Sequence, residues 1–233
     1  MRIQDSVVLV TGGNRGLGKA FVEAAVQRGA RKVYAGARDP GSVTTPGAVP
    51  LALDVTDPDS IARAAAQAGD VTFLVNNAGI SMRASLLTGS LDDVRQEFET
   101  NFFGPLAVTR AFAPIIVANG GGHVLDVHSV LSWISQGTSY SANKAALWQA
   151  TNGFRLELAP QGVGVTGLHV GYVDTDMAAD IEGPKVAAAD VVRQAYDGVE
   201  AGAFEVLADD ISRRVKQGLS AAPEALYPQL VSA

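Results

Sequence analysis

The segment Tyr140-Ser141-Ala142-Asn143-Lys144 sets a phenol and a primary amine four residues apart. On a helix, positions i and i+4 share a face, so the two side chains are neighbours. A free phenol titrates near pH ~10, too high for ready proton exchange at neutral pH. A fixed ammonium beside it is expected to favour the phenolate and lower that value, which would make the tyrosine a general acid or base. Ser129 stands eleven residues before Tyr140 and offers a hydroxyl to the same reacting oxygen. Ser132 is a rival for that role, less favoured at eight residues. A Tyr/Lys pair alone is more often an accident of a surface helix.

A second kind of chemistry is written near the start. Thr11-Gly12-Gly13-Asn14-Arg15-Gly16-Leu17-Gly18 joins the apolar run Val7–Val10 to a stretch with helical spacing. Glycines suit a tight strand-to-helix turn and let a pyrophosphate approach the main chain, while the helix N-terminus offers free N–H groups. The spacing is not the general G-x-G-x-x-G fingerprint. Asp39 lies 21 residues past Gly18, where an acidic residue could select NAD. It stands beyond the second strand and before Pro40, however, so a turn or cap is the better reading. Arg38 at the strand end and Arg15 in the glycine loop instead suit a 2′-phosphate, which guanidiniums bind through paired hydrogen bonds. NADP(H) is therefore expected over NAD(H).

These residues need a frame. Seven short apolar runs, Val7–Val10, Lys32–Gly36, Pro50–Leu53, Val71–Val75, Val124–His128, Val163–Val170 and Phe204–Leu207, alternate with longer amphipathic stretches. Those stretches are Leu17–Arg28, Asp57–Ala68, Leu91–Ala118 with a kink at Gly104-Pro105, Ser139–Ala159 and Ala187–Glu200. Such alternation predicts an α/β fold: a doubly wound, Rossmann-like parallel sheet of about seven strands with helices on both faces. One domain over 1–233 is expected, with a substrate lid around 175–188 and a tail after 218 that packs on a neighbour or frays.

Composition narrows the field. The chain has 233 residues, 47% hydrophobic and 18% charged, with 24 acidic against 18 basic residues. A net charge of −6 argues against a nucleic-acid or anionic-membrane binder. No cysteine is present, which excludes disulfides and thiolate metal sites, and no metal site is expected from the three histidines. His123 and His128, five apart in a strand region, should face opposite sides, with His128 a packing residue. The apolar stretches near 102–109 and 111–118 are broken by Pro105, Arg110 and Pro114, so no membrane span is expected. A start without a signal-peptide pattern makes a soluble, cytoplasmic protein the expectation.

With Asn76-Asn77-Ala78-Gly79 after the strand at 71–75, the four elements stand in an order that resembles the short-chain dehydrogenase/reductase family, in its compact form, over Ser6 to Leu207. That resemblance implies hydride transfer between NADP(H) and a ketone or aldehyde, with alcohol oxidation as the reverse. It implies Tyr140 as general acid, Lys144 as the group that tunes it and holds the nicotinamide ribose, and Ser129 as the hydroxyl that polarises the carbonyl. Asn101 matches the asparagine that anchors a water for proton relay. Gly12, Asn14, Arg15, Gly16, Leu17, Gly18 and Arg38 would meet the phosphates. Asp54 and Val55 would meet adenine; Asn77, Ala78 and Gly79 the adenosine ribose, with Asn77 also bracing the sheet. Gly171, Val173 and Thr175 would complete the nicotinamide loop.

Two departures from the family pattern matter. The loop Val170-Gly171-Tyr172-Val173-Asp174-Thr175 lacks the usual proline before Gly171, which is expected to loosen it. The segment from Ser129 to Tyr140 is also short. Leu131, Trp133, Ile134, Tyr172, Met177 and Ile181 are the candidate substrate contacts, mostly apolar, and point to a hydrophobic carbonyl compound. A homodimer or homotetramer follows from family habit. The rivals are a catalytically silent NADP(H) sensor, which has no need of Ser129, Tyr140 and Lys144 together, and an extended epimerase, which would need a larger C-terminal part.

Overall fold

The computed structural model describes residues 1–230, so the last three residues of the expected domain lie outside the described range. Seven strands form one parallel sheet: β1 (Val7–Thr11), β2 (Lys32–Ala37), β3 (Val49–Ala52), β4 (Phe73–Asn76), β5 (Gly122–Val127), β6 (Val163–His169) and β7 (Glu205–Leu207). Their spatial order is β3-β2-β1-β4-β5-β6-β7. Chain order reverses between β1 and β4, and such a switch point opens a crevice beyond the C-terminal strand ends.

Helices cover both faces because the strands are apolar on both. Val8 and Val10 turn to a core with Phe21 of α1 (Gly16–Gln27) and Tyr196 of α6 (Ala188–Glu200). Val7 and Leu9 turn to the opposite core, with Ile61 of α2 (Pro58–Gln67), Phe112 of α4 (Gly104–Ala118) and Phe154 of α5 (Ser139–Leu158). All four strand residues are fully buried. Burying one such aliphatic side chain contributes roughly 1.5–3 kcal/mol.

The long helical stretch starts with α3 (Leu91–Phe98) and runs unbroken into α4. The expected kink is a π turn at Glu99–Phe103, in which the Gly104 N–H bonds to the Glu99 carbonyl. Pro105 has no N–H to give the Asn101 carbonyl, and a wider turn absorbs that loss. By length and composition the 28 residues Leu91–Ala118 could cross a membrane, which the broken apolar runs did not suggest. Here Val108, Phe112 and Ile116 pack on the sheet.

Some boundaries differ from expectation. β5 begins at Gly122 rather than at the expected Val124: a Cβ at Gly122 would stand 1.9 Å from the Thr72 carbonyl oxygen, so only glycine lets β5 begin beside that chain. Helix α7 (Asp210–Gly218) went unrecognised because its nine residues are mostly charged or polar. The two strand histidines do face opposite sides: His123 packs on Phe73 and bonds Thr166, whereas His128 bonds Thr151 of α5.

Candidate active site

The glycine loop is shaped by two positive backbone angles, φ +64° at Gly12 and +51° at Gly16, that glycine adopts without strain. Gly18 is required by space: a Cβ would fall 2.0 Å from the Gly12 carbonyl oxygen. Arg15 caps α1 in extended geometry without a side-chain bond, and its first turn holds no acidic residue. The N–H groups around Gly16, Leu17 and Gly18 are thus uncapped by any side chain, which fits an anion such as a pyrophosphate. Asn77 braces the loop, donating from Nδ2 to the Thr11 carbonyl at 2.9 Å, while the Thr11 hydroxyl accepts from the N–H groups of Asn77 and Ala78 at 2.9 and 3.0 Å.

At the next corner, Arg15 and Arg38 are exposed and enter no ion pair among the described residues. Asp39 is a cap, as its place before Pro40 predicted: its Oδ1 accepts from the Gly41 N–H at 2.9 Å. Asn14 ties the loop to the same turn through Ser42, at 3.1 Å. Asp54 folds its carboxylate onto Thr56, while Val55 is buried against Gly104, where a Cβ would crowd it at 2.9 Å.

Tyr140 and Lys144 lie in the first turns of α5, and the turn Val130–Ser132, which follows Ser129, packs on that helix. The Ser129 Oγ accepts from the Leu131 N–H at 3.1 Å, and Ser132 turns its own hydroxyl back toward the Ser129 N–H. Lys144 is buried and donates from Nζ to the Val127 carbonyl at 2.9 Å, lying 5.7 Å from the Tyr140 ring centre. The electrostatics differ from expectation. Burial pushes the Tyr140 phenol up rather than down, and the Glu97 carboxylate adds to the rise. Burial lowers Lys144 to about 8, opposed by Asp126. Desolvation is the largest cause at both groups. Asp126 is fully buried between the Asn76 amide, at 2.8 Å, and the Thr151 hydroxyl, at 2.6 Å, and burial pushes its carboxyl up.

Asn101 sits in the π turn, fully buried, with Nδ2 donating to the Ile80 carbonyl and to Asn143 Oδ1. Asn143 continues to Glu97, which also accepts from the Met82 N–H and the Ser139 hydroxyl. Gly79 lies against this group; a Cβ there would come 3.2 Å from Asn101 Oδ1. The residue reading missed Glu97, Ser139 and Asn143. Glu97 is one helical turn before Asn101, and the other two immediately precede Tyr140 and Lys144, so the signal was the spacing around the motif itself.

The loop after β6 is held more firmly than a missing proline implied. The Gly171 N–H donates to Asp209 Oδ2 at 2.6 Å, and the Val170 carbonyl accepts from Val130 at 3.0 Å. Val173 bridges Val186, closing the base of the 175–188 segment. Thr175 is 3.6 Å from where a Gly16 Cβ would stand, which puts this loop beside the glycine turn. An ion pair of Arg83 with Asp180, 2.7 Å, links the segment to the connection after β4. Tyr172 and Met177 are exposed, Ile134 and Ile181 half-buried, and Leu131 buried. Trp133 lies stacked on His169 at 3.9 Å, with Trp148 edge-on and Lys216 above it, so its ring serves packing under α7. In the tail, Tyr227 accepts from the Ser135 N–H at 3.0 Å, fastening the short Ser129–Tyr140 segment of its own chain.

This fold and constellation define a class, and the chain belongs to the short-chain dehydrogenase family, whose model matches residues 6–185. Among curated relatives, the Bos taurus dehydrogenase/reductase SDR family member 7B is 32% identical over 197 residues, covering 76% of this chain and 60% of that protein. The NADPH-dependent 1-acyldihydroxyacetone phosphate reductase of Schizosaccharomyces pombe is also 32% identical, over 79% of this chain and 66% of its own length. The chain thus spans about three fifths of the length of the member 7B relatives. A short-chain dehydrogenase from Burkholderia cenocepacia, solved with NADP, superposes with a TM-score of 0.94 at 39% identity over 99% of both chains.

Proposed function

We propose that the protein is an NADP(H)-dependent oxidoreductase that reduces a hydrophobic ketone or aldehyde to an alcohol. The observation that carries this reading is Lys144 Nζ over the Tyr140 ring at 5.7 Å on α5, with the turn that follows Ser129 packed on that helix, in a fold whose first helix starts uncapped at the glycine loop. When bound, the reduced dinucleotide supplies the hydride. Gly12, Gly16, Leu17 and Gly18 would hold its pyrophosphate, and the exposed Arg15 and Arg38 a 2′-phosphate. The NADP complex of the Burkholderia relative and the NADPH dependence in the name of the yeast relative support that preference.

The chain's own groups handle the proton. Because Ser129 Oγ accepts from Leu131, its hydroxyl proton is free to meet the substrate oxygen and polarise the carbonyl. Tyr140 gives its phenol proton to the same oxygen as the carbonyl carbon is reduced. Lys144 supplies the neighbouring positive charge. Exposed Tyr172 and Met177, at the entrance formed by the loop after β6, favour aryl or alkyl carbonyl compounds over sugars. The test is absorbance-followed NADPH oxidation against a panel of ketones and aldehydes, with NADH as control. Turnover with apolar carbonyls supports the reading; tight NADPH binding without turnover on any carbonyl assigns the chain to the sensor class.

A further inference from the structure

The polar groups of Ser129 can be followed one by one. Its N–H donates to Ser132 Oγ at 3.4 Å, and its Oγ accepts from the Leu131 N–H at 3.1 Å. Its carbonyl accepts twice, from the Ser132 N–H at 3.0 Å and from His169 Nδ1 at 3.3 Å. The bonds to Leu131 and Ser132 stay within one turn. Among the described residues, His169 alone bonds Ser129 from outside that turn. The hydroxyl proton is what remains for a substrate.

His169 is the last residue of β6 and is fully buried. A carbonyl oxygen only accepts, so the shared proton stands on Nδ1. Burial pushes the imidazole below its ordinary range, which leaves Nε2 a bare acceptor. Nε2 has no hydrogen-bond partner among the described residues, and Glu205 Oε1 stands off at 3.7 Å. That carboxylate is engaged elsewhere, by Trp148 Nε1 at 2.9 Å and by Lys216 Nζ of α7 at 2.5 Å. The ring itself is clamped. Trp133 stacks on it at 3.9 Å and 16°, Lys216 lies over Trp133 at 4.8 Å, and His128 tilts against it at 4.8 Å.

We propose that His169 is a positioning residue for Ser129: held in place by Trp133 and His128, it donates from Nδ1 to the Ser129 carbonyl and fixes that residue past the end of β5 so that its hydroxyl meets the substrate oxygen. The proposal rests on the reading of Ser129 as the group that polarises the carbonyl. A reacting group misplaced by about 1 Å can cost ~10²-fold in rate, so a single main-chain bond at this point matters.

The test separates the donor from the packing. His169→Phe keeps an aromatic ring on Trp133 without the donor; His169→Asn gives up the ring but keeps an N–H near the place of Nδ1. Carbonyl reduction should fall about tenfold in kcat in His169→Phe, with NADPH binding unchanged, and stay within about threefold of wild type in His169→Asn. In a Ser129→Ala background, His169→Phe should cost nothing more. A wild-type kcat in His169→Phe, an equal loss in His169→Asn, or a full further loss in Ser129→Ala overturns the proposal. Hydrogen exchange at the Leu131 amide, which Ser129 Oγ accepts, reads the same placement without turnover. It should quicken about tenfold in His169→Phe and little in His169→Asn; equal protection in wild type and His169→Phe overturns the proposal. Should His169→Phe lack a cooperative melt, His169→Leu takes its place with the same expectations. If no carbonyl turns over, the functional reading fails while the exchange still decides the role of His169.

Discussion

The amide of Asn101 clasps the main chain of Ile80 at both its polar groups, Nδ2 donating to the carbonyl at 2.8 Å and Oδ1 accepting from the N–H at 2.9 Å. A π turn in one helix thus fixes the segment that leaves β4 beside the glycine loop. Asn101→Ala strands both Ile80 groups, and losing such partners costs about 1–3 kcal/mol. Denaturant unfolding should show that loss, and carbonyl reduction should fall with it. Unchanged stability would mean the clasp is idle.

The exposed Arg15 and Arg38 make cofactor choice testable. A charge-assisted hydrogen bond is worth about 1.5–3 kcal/mol, so Arg38→Ala should raise KM for NADPH by roughly tenfold or more and leave NADH kinetics nearly unchanged. Arg38→Asp should reverse the preference. Equal use of both cofactors by the wild type would remove the role given to these arginines.

Much of this site could be read from residue types because local rules place it. The Tyr140–Lys144 spacing needs only a helix, and the glycine loop only a strand-to-helix turn. Asp39 reads correctly as a cap because proline follows it. What escaped depends on tertiary meeting. Asp209, 38 residues from the Gly171 it fastens, and Tyr227, which returns to Ser135, carry no signal in their own neighbourhoods. The direction of the Tyr140 shift also depends on burial, which the motif does not encode.

Asp209 should prove a structural pin. It accepts from Gly171 and, through Oδ1, from the Ser212 N–H that starts α7, at 2.8 Å. Loss of a helix cap costs about 0.5–2 kcal/mol. Asp209→Ala should lower the melting temperature by roughly 2–4 °C per kcal/mol lost in a chain of this size. Calorimetry checks this, and a melting point equal to that of the wild type would exclude the pin.

Lys144 gives a pH prediction with a definite sign. Its folded value of about 8 lies below the ordinary 10.5. Between those values the unfolded chain binds more protons, so the lysine's contribution to stability rises with pH. Relative to Lys144→Met, the wild type should gain about 2 kcal/mol from pH ~7 to ~9.5. Urea unfolding at the two pH values measures it; a constant difference would contradict a depressed lysine.

The central claim is that Tyr140 delivers the proton in an NADPH-dependent reduction. Its most direct test is single-turnover NADPH oxidation by wild type and Tyr140→Phe on the best apolar ketone, with NADPH binding measured in parallel. The account predicts that Tyr140→Phe binds NADPH as the wild type does and loses the chemical step by 10²-fold or more, the usual range for a positioned general acid. A variant that oxidises NADPH at the wild-type rate would contradict it.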